Sequence, residues 1–218
     1  MAIPDVSSKT MEKQQGETAP KGSKKSAVSR QQVLDAAIRT LADQGLANTS
    51  VSDIAEAAKM SKGVVHYHFE SKDELLRRVL ENCSEVLAFR VREAWQTSGT
   101  PAERIRRALR VMLATRTDGS PEMRVLTDLM ALAIHDEPLK ALLAEQFERR
   151  RNELLEDLLK TASELGLRAR IAPAVIPRLL VAALDGLGFH QLFDPPSQDE
   201  QQELPRALEL LAFSLFEW

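Results

Sequence analysis

Cysteine is nearly missing from this chain of 218 residues: Cys83 is the only one. A single thiol excludes an internal disulfide, and there are no Cys/His pairs at the spacing of a zinc site. The chain suits a reducing compartment, and a cytoplasmic location is expected. Glycine is scarce at nine residues, and β-branched runs are almost absent, so a sheet has little to be built from. Leu and Ala abound, and the expected fold class is all-α. No apolar run approaches the ~18 residues of a membrane span, and no apolar signal region opens the chain. No membrane partner is expected. Also missing are a glycine-rich phosphate loop, a nucleophile motif and metal-ligand spacing, so neither a cofactor nor an enzyme activity is expected. Aromatic residues make up only 5% of the chain.

What is present is helical periodicity and an uneven charge. Residues 1–80 hold 12 Lys/Arg against 10 Asp/Glu, and residues 81–218 hold 17 against 22. The segment "KGSKKSAVSR", 21–30, has four positive charges and no negative one. Residues 1–28 are rich in Lys, Ser, Gln, Gly and Pro without an apolar period, and read as a disordered basic arm. Beyond them about nine helices and no strand are expected, near 30–44, 51–58, 62–69, 71–95, 101–115, 121–134, 138–165, 174–193 and 200–217. Gly45 is placed to end the first. Ser50 with Asp53, Ser61, and Ser71 with Glu74 are placed as N-caps of the next three.

Four rings stand together in a chain otherwise poor in them: His66-Tyr67-His68-Phe69. They fall in the second of two short helices joined by a tight turn, which is a helix-turn-helix. Positions 65 and 69 are one turn apart, so Val65 and Phe69 face a small core. Lys62, Val64, His66, Tyr67 and His68 share the outer faces. Hydrogen-bonding tips and small apolar surface are what a DNA groove requires, and Gly63 would let backbone come close. His66 and His68, two apart, point to different faces and do not make a metal pair.

The run "VLDAAIRTLADQGLANTSVSDIAEAAKMSKGVVHYHFESKDELL" resembles the TetR family of bacterial transcriptional regulators. The resemblance implies a helix-turn-helix DNA-binding domain over 29–75 and a C-terminal ligand-binding and dimerisation domain over 76–218. It implies phosphate contacts by Thr49 and Ser50, entry of Ser61, Lys62, Gly63, Val64, His66, Tyr67 and His68 into the major groove, and a backbone contact by Lys72. Where the family usually carries a tyrosine, this chain has His66 followed by Tyr67, so that phosphate contact falls to one ring or the other.

After Leu80 the resemblance thins, but "LLVAALDGLGFHQLF", 179–193, looks like the eighth helix of the choline-responsive, BetI-type branch. It implies a homodimer formed by the last two helices. The stripes available are Leu180, Leu184 and Leu187 with Gly186 and Gly188, and Leu204, Leu208, Leu211 and Leu215. Core packing within one chain is the alternative and does not exclude the dimer, which the two-fold symmetry of a palindrome-reading protein favours. An effector cavity is likewise implied, with Phe89, Trp95, Met112, Met123, Met130, His135, Phe147 and Phe189 as candidate lining. Arg104, Arg106, Arg107, Arg110 and Arg149–Arg151 read as solvated faces. The whole indicates a ligand-responsive regulator of transcription, a repressor released from a palindromic DNA operator by a small-molecule effector. The alternatives are a helical carrier or enzyme with an incidental helix-turn-helix, and a DNA-binding protein without an effector.

Overall fold

A computed structural model describes residues 21–218 and places nine α-helices among them. The first, α1, runs Lys21–Gln44. It begins about nine residues before its expected start, so residues 21–28 of the expected arm are helical; residues 1–20 of that arm lie outside the described residues. From Ser23 to Gln44 the sequence contains neither glycine nor proline, so nothing local stops the helix from extending backwards. At its other end Gly45 takes φ 77° and donates its N–H to Leu41 O at 2.9 Å, a positive-φ conformation that glycine adopts at least cost.

A 3₁₀ turn over Leu46–Asn48 leads to α2 (Val51–Ala57), α3 (Lys62–His68) and α4 (Lys72–Gln96). The expected caps set these starts. Ser50 and Asp53 exchange bonds as a full capping box. Ser61 accepts from Val64 N at 3.3 Å and Ser71 from Glu74 N at 3.1 Å. Each such cap contributes about 1 kcal/mol. The turn between α2 and α3 is closed by Lys59 at φ 56°.

The remaining helices are α5 (Pro101–Thr117), α6 (Pro121–Ala133), α7 (Glu137–Glu164), α8 (Val175–His190) and α9 (Gln198–Ser214). One expectation is corrected: a small antiparallel ladder pairs β1 (Arg168–Ala169) with β2 (Phe216–Glu217) and ties the chain's end to the loop after α7. Phe216 is buried there, which gives the two-residue strands a packing reason to form.

Two apolar cores follow. The first joins α1, α2, α3 and the first half of α4 with Val125, Leu126 and Leu129 of α6 and Leu143 of α7. The second joins the end of α4 with α5, the second half of α7, α8 and α9. α4 therefore belongs to both, supplying Leu75, Leu76, Val79 and Leu80 to one and Ala94 and Trp95 to the other. A rod shared by two cores transmits tilt from one to the other, because close-packed interiors have no slack to absorb it.

Candidate functional site

Val65 and Phe69 of the α3 segment are both 1% exposed, as the one-turn spacing predicts. Burying a Phe or Val side chain is worth roughly 1.5–3 kcal/mol, so these two anchor a helix of only seven residues. Arg30 lies over the Phe69 ring at 5.4 Å, and Ser29 Oγ meets His68 Nε2 at 2.5 Å. The early turns of α1 thus clasp the end of α3. His68 is half-buried and turned to α1 instead of lying free on the outer face.

Lys62, Gly63, His66 and Tyr67 are exposed, Tyr67 at 77%, and Val64 is half-buried beside them. A methyl group added at Gly63 would meet only Ser61 Oγ, at 3.7 Å. Packing within the chain therefore gives no reason for glycine here. Ser50 and Ser61 are exposed at the N-termini of α2 and α3. Thr49 differs from expectation: it is buried, and its hydroxyl donates to Gly45 O at 2.8 Å. Lys72 Nζ donates to Thr49 O at 2.9 Å, so the lysine holds the loop before α2 while keeping its charge at the surface. The Thr49 side chain is thus used within the loop.

A cavity of about 290 Å³ lies among α4, α5, α6, α7 and α8. Five of the eight expected residues line it: Trp95, Met112, Met123, Met130 and Phe147. Phe89, His135 and Phe189 do not; all three are exposed. Phe189 instead meets Phe193 edge-to-face at 5.3 Å. Sequence reasoning missed the polar lining. Arg92, Arg116, Arg150, Arg151 and Arg178 line the cavity with Gln146, Glu153, Asp157 and Asp185. Two of the arginines expected on solvated faces, Arg150 and Arg151, are therefore cavity residues. The signal was available on α7. Leu143, Gln146, Phe147, Arg150, Leu154 and Asp157 follow the i, i+3, i+4, i+7 pattern, so three polar residues interrupt a core-facing stripe.

The charges are partly paired. Arg150 bonds to Glu85 and Glu153, both at 2.8 Å, and Arg92 also pairs with Glu85. The two guanidinium groups hold the Glu85 carboxyl below its ordinary range. Arg116 Nε donates to Asp185 Oδ1 at 2.6 Å. Asp157 has its carboxyl pushed up by burial. Elsewhere Arg107 donates to the carbonyls of Ala94, Thr97 and Ser98 at 3.1, 2.8 and 2.9 Å, closing the C-terminus of α4. Arg104 pairs with Glu164 and Arg106 with Glu209.

The surfaces of α8 and α9 also differ from expectation. Leu180, Leu184 and Leu208 are buried in the subunit's own second core, with Leu187, Leu204 and Leu215 packed half-buried against it. Only Leu211 of the expected stripes is exposed. The outward apolar residues are Val175, Leu179, Phe189, Leu210 and Leu211, with Leu192 and Phe193 in the turn after α8. The two glycines separate in the same way. A Cβ at Gly186 would meet nothing within 4 Å, while one at Gly188 would stand 2.9 Å from Arg116 Cβ and 3.1 Å from Arg116 O. Gly188 thus serves the packing of α8 on α5.

The helix-turn-helix register and the cavity behind it have a known counterpart. The profile of bacterial regulatory proteins of the tetR family matches residues 33–79. That of the BetI-type transcriptional repressor C-terminal domain matches residues 101–212, more than half of the chain. The chain belongs to the TetR family. It is a ligand-responsive transcriptional regulator and not an enzyme. TetR regulators bind DNA operators, act as dimers and bind small-molecule effectors. Among relatives, the HTH-type transcriptional regulator PksA of Bacillus subtilis is 27% identical over 171 residues, 76% of this chain and 80% of that protein. The HTH-type transcriptional regulator BetI of Burkholderia mallei is 26% identical over 161 residues, 73% of this chain and 80% of its own length. In fold, a transcriptional regulator from Saccharomonospora viridis, solved in complex with choline, matches with a TM-score of 0.72 at 21% identity. The match covers 88% of this chain and all of that one. No helix among the described residues is long and apolar enough to cross a membrane.

Proposed function

We propose that this TetR-family chain is a homodimeric cytoplasmic repressor that releases a two-fold DNA operator when a small molecule fills the cavity. The observation that carries the reading is the position of α4. It lines the cavity with Leu87, Val91 and Trp95, and only two residues separate its start at Lys72 from Phe69, the anchor of the DNA-facing helix. α6 supports the same route from the other side. Its Met123, Leu126 and Met130 line the cavity, while Val125 and Leu129 pack in the first core with α1. Asp128 Oδ2, on α6, also accepts from Leu46 N at 3.4 Å.

In a helix-turn-helix dimer the two recognition helices must sit one DNA turn apart, ~34–36 Å, to enter successive major grooves. A ligand that tilts α4 in each subunit changes that spacing without unfolding anything. Lys62, Lys72 and one of His66 and Tyr67 are the phosphate-facing groups of this reading, with Ser50, Ser61 and the Gly63 backbone beside them. The second copy is held by the outward apolar residues of α8 and α9, including Leu179, Phe189, Leu210 and Leu211. Gly186 leaves room for a helix to approach.

The ligand shifts the equilibrium only by its differential affinity for the two states, and allosteric couplings are typically ~1–3 kcal/mol. Linkage makes the effect reciprocal. The test is to measure effector affinity with and without saturating operator DNA. A loss of roughly 5–150-fold in the presence of operator supports release by ligand. Equal affinities in the two conditions would show that the cavity does not control the DNA-facing helix.

A further inference from the structure

Apolar side chains form the deep part of the cavity: Trp95, Met112, Leu126 and Leu154 are buried. The polar lining is weighted to one side. Five arginines stand against three carboxylates, those of Glu153, Asp157 and Asp185. The ion pairs of Arg92, Arg116 and Arg150 use Glu85, Glu153 and Asp185. Arg151 and Arg178 make no ion pair among the described residues. Two further donors on lining side chains, Trp95 Nε1 and Arg150 Nε, are buried with no hydrogen-bond partner among the described residues. A buried donor without an acceptor is destabilising, and a ligand acceptor would relieve it. The features that recognise a quaternary ammonium group are aromatic faces gathered around it. Here the aromatic lining is Trp95 and Phe147 alone, and the chain's single tyrosine is Tyr67 on α3.

We propose that the effector is an amphipathic anion, an apolar chain or ring carrying a carboxylate, with the apolar body against Trp95, Met112 and Phe147 and the carboxylate held by Arg151 and Arg178. The assignment rests on the reading of the cavity as the effector site and adds its chemical class. Arginine is suited to the task because its planar fork matches a carboxylate in two parallel bonds. The cavity volume stands at the lower end of small-molecule sites, ~300–1,000 Å³, which favours a compact body over a long or multi-ring one.

The experiment uses the full chain with Trp218→Phe, which leaves Trp95 as its one tryptophan. Three probe series are titrated against its fluorescence below their self-association concentrations: straight-chain carboxylates, alcohols and alkyltrimethylammonium ions of matched chain length from hexyl to dodecyl. The carboxylate is expected to bind at least tenfold more tightly than the alcohol or the ammonium ion of the same length. Arg151→Ala and Arg178→Ala, each checked for an unchanged melting curve, are expected to weaken carboxylate binding by more than they weaken alcohol binding. Either an ammonium ion or an alcohol that binds as tightly as its carboxylate overturns the proposal, and leaves the cavity reading standing because Trp95 has responded. Arginine variants that weaken carboxylate and alcohol binding equally also overturn it. Silence of Trp95 in all three series rejects the proposal and the effector site together.

Discussion

Gly188→Ala is the substitution whose cost can be worked most directly from the structure. Alanine is the better helix former by up to ~1 kcal/mol, so on helix propensity alone the variant would be stabilised. The added Cβ, however, would stand 2.9 Å from Arg116 Cβ and 3.1 Å from Arg116 O, where carbon atoms pack best at ~3.5–4.0 Å. The crowded neighbour cannot simply swing away, because one of the two atoms is backbone. Arg116 is further held by Asp185 at 2.6 Å and by Met112 O at 3.1 Å. Overpacking of this kind costs ~1–3 kcal/mol. Contact with a backbone atom puts the cost in the upper part of that range, leaving a net loss of ~1–2 kcal/mol. For a chain of this size each kcal/mol moves Tm by roughly 2–4 °C, so a fall of about 2–8 °C is expected. The assay is thermal denaturation followed by circular dichroism, with wild type and variant at one fixed concentration, since the proposed dimerisation would make Tm concentration-dependent. A variant that melts with or above the wild type would show that α8 and α5 are not in the close contact described.

Gly63→Ala should leave the melting curve unchanged or slightly raised, since its Cβ meets only Ser61 Oγ at 3.7 Å, yet should weaken operator binding in a gel-shift titration. Unaltered affinity would remove the argument for close backbone approach. Of His66→Ala and Tyr67→Phe, the one that makes the phosphate contact should lower operator affinity in the same titration; if neither does, the assignment of α3 to the groove is wrong. Cys83 is buried, and burial pushes its thiol up to about 12. It should therefore resist a thiol reagent at pH 8 until the protein is denatured, and rapid labelling of the native protein would contradict the first core.

The short-range features were written in the sequence. Caps operate over three residues, so Ser50 with Asp53, Ser61 and Ser71 mark helix starts without reference to anything distant, and the structure uses all of them. Val65 and Phe69 declare the inner face of α3 because one turn of helix separates them and the residues between are polar or exposed. That register, with the turn before it, is what made the inner and outer faces of α3 legible.

Tertiary structure decided what depends on neighbours. The α8 helix is apolar on nearly every side, so periodicity alone cannot choose between Leu180 and Leu184, which are buried, and Leu179, which is exposed. Only the placement of α5 and α7 settles it. Gly186 and Gly188 look alike in sequence, two residues apart, but face open space and Arg116 respectively. The cavity is the same case: Arg150 and Arg151 read as surface charges until α4, α6 and α8 close around α7. Helix formation is a property of local backbone hydrogen bonding and can be read along the chain. Which face a helix buries is set by the surfaces it meets, and those come from residues tens of positions away.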